Sequence, residues 1–138
     1  MNYYFPLQVR FADTDAQGHA FFGSYFTFFD EAASGLLRAL GHSYQTLRAQ
    51  NLDFVYAHAE CDYSAPAVFE DLVHVYARVA QLGNTSVTIE CNAVRAADQM
   101  LLARGKLVCV IRDATTHQKV PVPESFRRAV QAFDAAPG

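Results

Sequence analysis

The chain has no run of about 18 apolar residues, the length a membrane-crossing helix needs, so no membrane span is expected. It also lacks a basic excess. Its 11 Lys and Arg stand against 14 Asp and Glu, for a formal net charge of −3, which argues against nucleic acid as a partner. The start, Met1-Asn2-Tyr3-Tyr4-Phe5-Pro6, has neither the basic residues nor the apolar core of a cleavable leader, so a cytoplasmic location is expected. Cysteine is sparse: Cys61, Cys91 and Cys109 form no C-x-x-C pair, which excludes a zinc ribbon or a thioredoxin-like motif. They read as small buried residues of a reducing compartment. His42, His58, His74 and His117 show no ligand spacing, so no metal is expected. Glycine-rich phosphate loops are absent. Gly41-His42-Ser43-Tyr44-Gln45 lacks the last glycine of a nucleophile elbow and follows a helix rather than a strand, so a Ser-His-Asp hydrolase is not supported. With no repeat, linker or low-complexity tract, residues 1–138 read as one domain.

What is present is apolar pattern. Apolar residues make up 51% of the chain against 18% charged, the balance of an ordered fold. Low charge combined with 13% aromatic content suggests that another subunit covers part of the surface. Leu7, Val9 and Phe11 alternate with Gln8 and Arg10, the period of a half-buried strand running through Phe11. Asp13 to Gly18 is a turn. From about Ser24 to Leu40, apolar residues recur at helical spacing, from Tyr25, Phe26, Phe28 and Phe29 to Leu36, Leu37 and Leu40. Gly23 or Ser24 is placed to cap the start and Gly41 to end it. Gly35 inside this helix suggests a close approach to another backbone. Ser43 to Gln50 reads as a short second helix. Strands follow at Phe54–Tyr63, Asp71–Gln81, Ser86–Ala96 and Leu101–Asp113, with a hairpin signal at Gly83-Asn84. Leu107 to Ile111 is apolar on both faces, as in a central strand. A short amphipathic helix lies within Pro121 to Phe133. One long apolar helix against one antiparallel sheet is an α+β layer architecture.

The chemistry-bearing candidates begin with Asp13 and Asp15. One of them is a catalytic carboxylate, or both are backbone-bonding turn residues. Two apart in extended chain, they would point to one side, and crowding would raise the pKa of one. The start of this run mimics a calcium loop, but position twelve is Ser24 rather than Glu and a strand precedes it, so calcium is excluded. His19 is either a proton shuttle or a packing residue whose ring bonds the turn.

Asp13-Thr14-Asp15-x-x-Gly18-His19 follows a strand and opens into a long helix. At the right distance comes Tyr63-x-x-Pro66, then Glu70-Asp71 and a new strand. Together these resemble the hotdog-fold acyl-CoA thioesterases of the 4-hydroxybenzoyl-CoA thioesterase-like family. The resemblance implies a hotdog fold, in which a five-stranded antiparallel sheet wraps the long helix. It implies a thioester hydrolase with Asp15 as nucleophile or general base, the Phe22 backbone N–H polarising the thioester carbonyl, and His19 in the same motif. It places Tyr25, Ser24, Tyr63 and Pro66 at the substrate; relatives often carry Asn where this chain has Ser24. No cofactor is implied, since coenzyme A arrives as part of the substrate. A homodimer or homotetramer is implied, with Asp15 facing the Tyr63–Pro66 region of a partner. The basic cluster that 4-hydroxybenzoyl-specific members use for coenzyme A phosphate is replaced by Leu82-Gly83-Asn84-Thr85. Arg78, Arg95, Arg104, Lys106 and Arg112 are substitutes, and Phe21, Phe22, Phe26 and Phe29 are either an acyl pocket or core. A hydratase or dehydratase on acyl thioesters, and a non-catalytic acyl-thioester binder, are the competing readings on the same fold.

Overall fold

Residues 3–135 are described by the computed structural model; Met1 and Asn2, part of the stretch read above for a leader, lie outside them. The chain runs β1 (Tyr3–Gln8), α1 (Ser24–Ala39), α2 (Tyr44–Ala49), β2 (Leu52–Tyr63), β3 (Leu72–Leu82), β4 (Ser86–Arg95), β5 (Leu101–Asp113) and α3 (Glu124–Ala135). The strands form one antiparallel five-stranded sheet in the order β1-β3-β4-β5-β2. β3, β4 and β5 pair as consecutive hairpins, while β1 and β2 flank them as edges. The Leu101–Asp113 strand is therefore interior, but β4 is the middle one.

Alternation along each strand decides which face is dry. Val73, Val75, Ala77 and Val79 of β3, Val87, Ile89, Cys91 and Ala93 of β4, and Ala103, Leu107, Cys109 and Ile111 of β5 are all buried. α1 lies against this face through Tyr25, Phe28, Phe29, Ala32, Ala33, Leu36 and Leu37. Register breaks at Tyr56/His58, Val79/Gln81 and Ala93/Val94 mark bulges, which increase the twist that lets a sheet curl round a helix. This is the hotdog arrangement that the motif resemblance implies.

Two glycines record how closely helix and sheet approach. A Cβ on Gly105 would collide with the Phe29 ring, so the strand has no side chain where the helix is bulkiest. A Cβ on Gly35 would collide with the Tyr3 hydroxyl and come within 3.3 Å of the Phe5 ring. The close approach expected at Gly35 is thus to side chains of β1 rather than to a backbone.

The first strand also ends earlier than its alternation suggests. Val9 is fully buried, but Phe11 is 78% exposed and lies in a 3₁₀ turn, Phe11–Asp13. The Asp13 carboxylate accepts the Arg10 N–H at 2.8 Å, which bends the chain off the sheet before Phe11. Pro6 lies on the edge strand, where a missing N–H costs no ladder bond. Ser43 accepts the Thr46 N–H and caps α2 as its position suggests.

Candidate active site

The segment after that turn is a tight hairpin. Thr14 bridges Ala20, the Asp15 N–H donates to the His19 carbonyl at 3.0 Å, and the Gly18 N–H donates back to the Asp15 carbonyl at 3.0 Å. Gly18 has φ +85, a backbone state nearly free for glycine and strained for other residues. This is the three-residue hairpin pattern, a turn followed by a left-handed residue that absorbs a bulge.

The two aspartates separate in role. Asp13 is 5% exposed and held by Arg10, with guanidinium–carboxylate distances of 2.9 and 3.2 Å. That hydrogen bonding holds its carboxyl below the usual range, more strongly than burial raises it. Asp13 is engaged by Arg10, and Arg10 and burial, not Asp15, set its shift. Asp15 is half-buried; its Oδ1 accepts the Gln17 N–H at 2.9 Å, and its Oδ2 accepts no hydrogen bond among the described residues.

Asp13→Asn is expected to lower stability by about 1–2 kcal/mol at neutral pH, the scale of a hydrogen bond to a charged group. The folded-state pKa is depressed, so this contribution is complete above the unfolded value of about 4 and lost as pH falls through the folded one. The gap between the two proteins in urea unfolding should therefore hold at neutral pH and narrow as pH falls below about 4 and through the depressed folded value. A gap that ignores pH would remove the ion pair as its cause.

The helix entry is tied to this hairpin. The Asp13 carbonyl accepts both the Phe21 N–H at 2.8 Å and the Ser24 hydroxyl at 2.9 Å. Ser24 therefore anchors the start of α1 to the turn rather than capping it. The N-cap position is Gly23, which offers no side-chain cap. The Phe22 N–H, one residue ahead of the N-cap, donates to no other described residue, leaving a free donor beside the positive end of the helix.

Tyr63 and Pro66 reach the same place from β2. The Tyr63 hydroxyl donates to the Phe22 carbonyl at 2.6 Å. Its ring meets Tyr25 edge-on, with centroids 5.3 Å apart. Tyr25 is 3% exposed and its hydroxyl accepts the Ala67 N–H at 3.3 Å. Burial raises both phenols; that of Tyr63, with Cys61 adding to the effect, is pushed up to about 12. Both remain neutral near pH 7. His19 bridges Val68, and the Ala20 N–H donates to the Ala67 carbonyl at 2.8 Å. Asp15, His19, Phe22, Ser24, Tyr25 and Tyr63 are thus linked by contacts within one chain, while the Pro66 carbonyl is held by Arg95.

The phenylalanines divide. Phe29 is fully buried core over Gly105, while Phe21 and Phe22 are 44% and 64% exposed and Phe26 is half-buried. So Phe29 belongs to the core, Phe26 packs against it, and Phe21 and Phe22 stand exposed beside the helix entry. The basic candidates divide too. Arg78 pairs with Glu90, Arg112 with Asp53, and Arg95 with Asp71 and Asp98. Arg104 and Lys106 make no ion pair among the described residues and sit on the sheet face away from α1, either side of Gly105. Cys91 and Cys109 are buried and Cys61 half-buried, each thiol pushed up by burial. No group of three or more His, Cys, Asp or Glu among the described residues is placed to hold a metal ion. No helix among them is long and apolar enough to cross a membrane.

Two polar contacts were not legible in the sequence. Tyr56 on β2 donates to Asp30 of α1 at 2.6 Å. Arg95 binds the Pro66 carbonyl at 2.8 Å. Both join residues far apart in the chain, and no local spacing signals them.

Comparison with known proteins shows the family of the chain. The chain is 30% identical over 121 residues to the acyl-CoA thioester hydrolase YbgC of Escherichia coli, covering 88% of this chain and 90% of that one. It is 31% identical over 126 residues to the acyl-CoA thioesterase YbgC of Haemophilus influenzae, covering 91% of each. The crystal structure of a 1,4-dihydroxy-2-naphthoyl-CoA thioesterase from Synechocystis superposes with a TM-score of 0.89 at 24% identity, over 99% of this chain and 100% of that one, a likeness of fold. Matched by the model of the thioesterase-like superfamily over residues 9–130, the chain belongs to that family.

Proposed function

We propose that this protein is a thioester hydrolase that cleaves acyl-CoA to the free acid and coenzyme A. The observation that carries the reading is the uncapped start of α1 joined, through the Asp13 carbonyl, to a hairpin bearing a half-buried carboxylate with one unengaged oxygen. A free N–H at a helix N-terminus is the type of donor that stabilises charge developing on a carbonyl oxygen. In this reading the thioester carbonyl accepts the Phe22 N–H. Asp15 attacks the carbonyl carbon, the C–S bond breaks, and coenzyme A leaves as thiolate. Water then opens the mixed anhydride and restores the carboxylate. Alternatively Asp15 takes the proton of a water that attacks directly. His19 stands in the same hairpin as a proton relay. Ser24, Tyr25, Tyr63 and Pro66 shape the approach, with Tyr63 holding the Phe22 carbonyl. The chemistry needs no cofactor beyond the coenzyme A of the substrate, and the expected place of action is the cytoplasm.

The working unit is a homodimer or a tetramer built from it. β2 is an edge strand whose run Tyr56 to Glu60 is exposed, and an exposed edge is a template for pairing with another strand. Edge pairing would bring Asp15 toward the Tyr63–Pro66 region of a partner. Light scattering should return at least twice the chain mass; an active monomer at assay concentration would overturn the dimer.

The test of activity is release of free thiol from a panel of aliphatic and aromatic acyl-CoAs. Hydrolysis supports the proposal. Change at the acyl double bond without thiol release would assign a hydratase or dehydratase. Tight acyl-CoA binding without turnover would assign a binding protein.

A further inference from the structure

We infer that Arg95 is a positioning residue for Asp15, fixing the frame on which the Asp15 hairpin hangs. The inference rests on the proposed role of Asp15. Arg95 closes β4, and its guanidinium spreads three directional donors over three segments. Nε reaches Asp71 Oδ2 at 3.2 Å, Nη1 reaches Asp98 Oδ2 at 3.0 Å, and Nη2 reaches the Pro66 carbonyl at 2.8 Å. Its side chain is 23% exposed. Pro66 lies in the loop after β2, Asp71 directly before β3, and Asp98 in the turn between β4 and β5.

The clamped stretch from Pro66 to Asp71 lies outside the regular strands, and side chains join the Asp71 N–H to Val68 carbonyl bond in holding its shape. Asp71 Oδ2 accepts the Val68 N–H at 3.0 Å as well as Arg95, closing the loop on itself. Both ends of the segment that carries Asp15 are bonded to this loop. At one end the Val9 N–H donates to the Asp71 carbonyl, and the Glu70 N–H donates to the Val9 carbonyl, each at 2.9 Å. At the other, the Ala20 N–H donates to the Ala67 carbonyl and His19 bridges Val68. Tyr25 takes the Ala67 N–H. The hairpin is thus suspended between two points of a loop whose geometry the guanidinium sets.

The sequence also offers Arg95 as a contact for coenzyme A phosphate, and the two roles predict opposite kinetics. Lysine keeps the charge but lacks the planar fork and cannot reproduce three directional bonds. Misplacement of a reacting group lowers turnover, whereas loss of a uniform binding contact raises KM. The experiment is Arg95→Lys, assayed with an acyl-CoA that the wild type hydrolyses. The expected result is a kcat reduced about 10-fold or more with KM within about two-fold. In Arg95→Ala, added guanidinium ion should restore part of kcat. A raised KM at unchanged kcat would make Arg95 a phosphate contact, and unchanged kinetics would likewise overturn the inference. Amide exchange gives a readout apart from catalysis: the Ala20 N–H should exchange faster in Arg95→Lys while the Ile89 N–H in β4 keeps its wild-type rate. An unaltered Ala20 rate overturns the inference whatever the activity. If the wild type hydrolyses none of the panel, the proposed function fails, and the exchange result alone decides for or against Arg95 as the anchor of the hairpin.

Discussion

Asp15→Asn is expected to lower acyl-CoA turnover by about 10²–10⁴-fold, the contribution of a positioned acid or base. Asparagine is close in size and keeps an oxygen to accept the Gln17 N–H, so the turn that carries the residue survives. What it loses is charge and basicity, which both versions of the mechanism require. Asp15 is half-buried and makes no ion pair among the described residues, so unfolding by urea should change by no more than about 0.5 kcal/mol. Lost turnover at preserved stability would identify Asp15 as a group of the reaction. Near-normal turnover would return it to turn chemistry. The comparison with Asp13→Asn sharpens this, since that change acts on stability through the Arg10 pair. Two aspartates two positions apart should thus fail in different assays.

Phe29→Ala is expected to cost about 3–5 kcal/mol, the range for removing a buried aromatic ring, out of the about 5–15 kcal/mol that holds a domain together. The ring is fully buried and seated where Gly105 leaves the sheet bare, so little could collapse into the space. Urea unfolding at unchanged slope is the measurement, and a loss below about 1 kcal/mol would show the site to be plastic. Gly105→Ala alone should destabilise by about 1–3 kcal/mol through overpacking. In the Phe29→Ala background the same methyl group would enter vacated space and cost less, a coupling that a double-mutant cycle reads directly. Additive losses would mean that the glycine and the ring do not share one volume.

Periodicity marked α1 to within a residue at its end and located every strand after it, because burial of one face forces the apolar spacing of a helix or a strand. The turn at Asp13 to Gly18 was legible for a local reason, since Asp15 and Gly18 supply the side-chain acceptor and the left-handed backbone it requires; its closure as a hairpin was not. Tyr63-x-x-Pro66 was legible only as a second motif at a matching distance.

The rest depended on contacts between distant parts of the chain. Phe11 continued the alternation of its strand, yet a carboxylate two residues on captured the Arg10 N–H and left the ring in solvent. Which aspartate would be buried turned on that same bond. Phe29 and Phe22 are the same residue type seven positions apart, yet Phe22 stands exposed ahead of α1 while Phe29, on the helix, is seated over the bare strand at Gly105. Local spacing marked the elements, the turn at Asp13 to Gly18 and the family motif. Tertiary structure alone decided the strand order, the hold of Tyr63 on the helix entry and the grip of Arg95 on the Pro66 loop. The physical reason is that spacing records which face of a segment avoids water, whereas a hydrogen bond across 41 or 29 residues leaves no spacing to read.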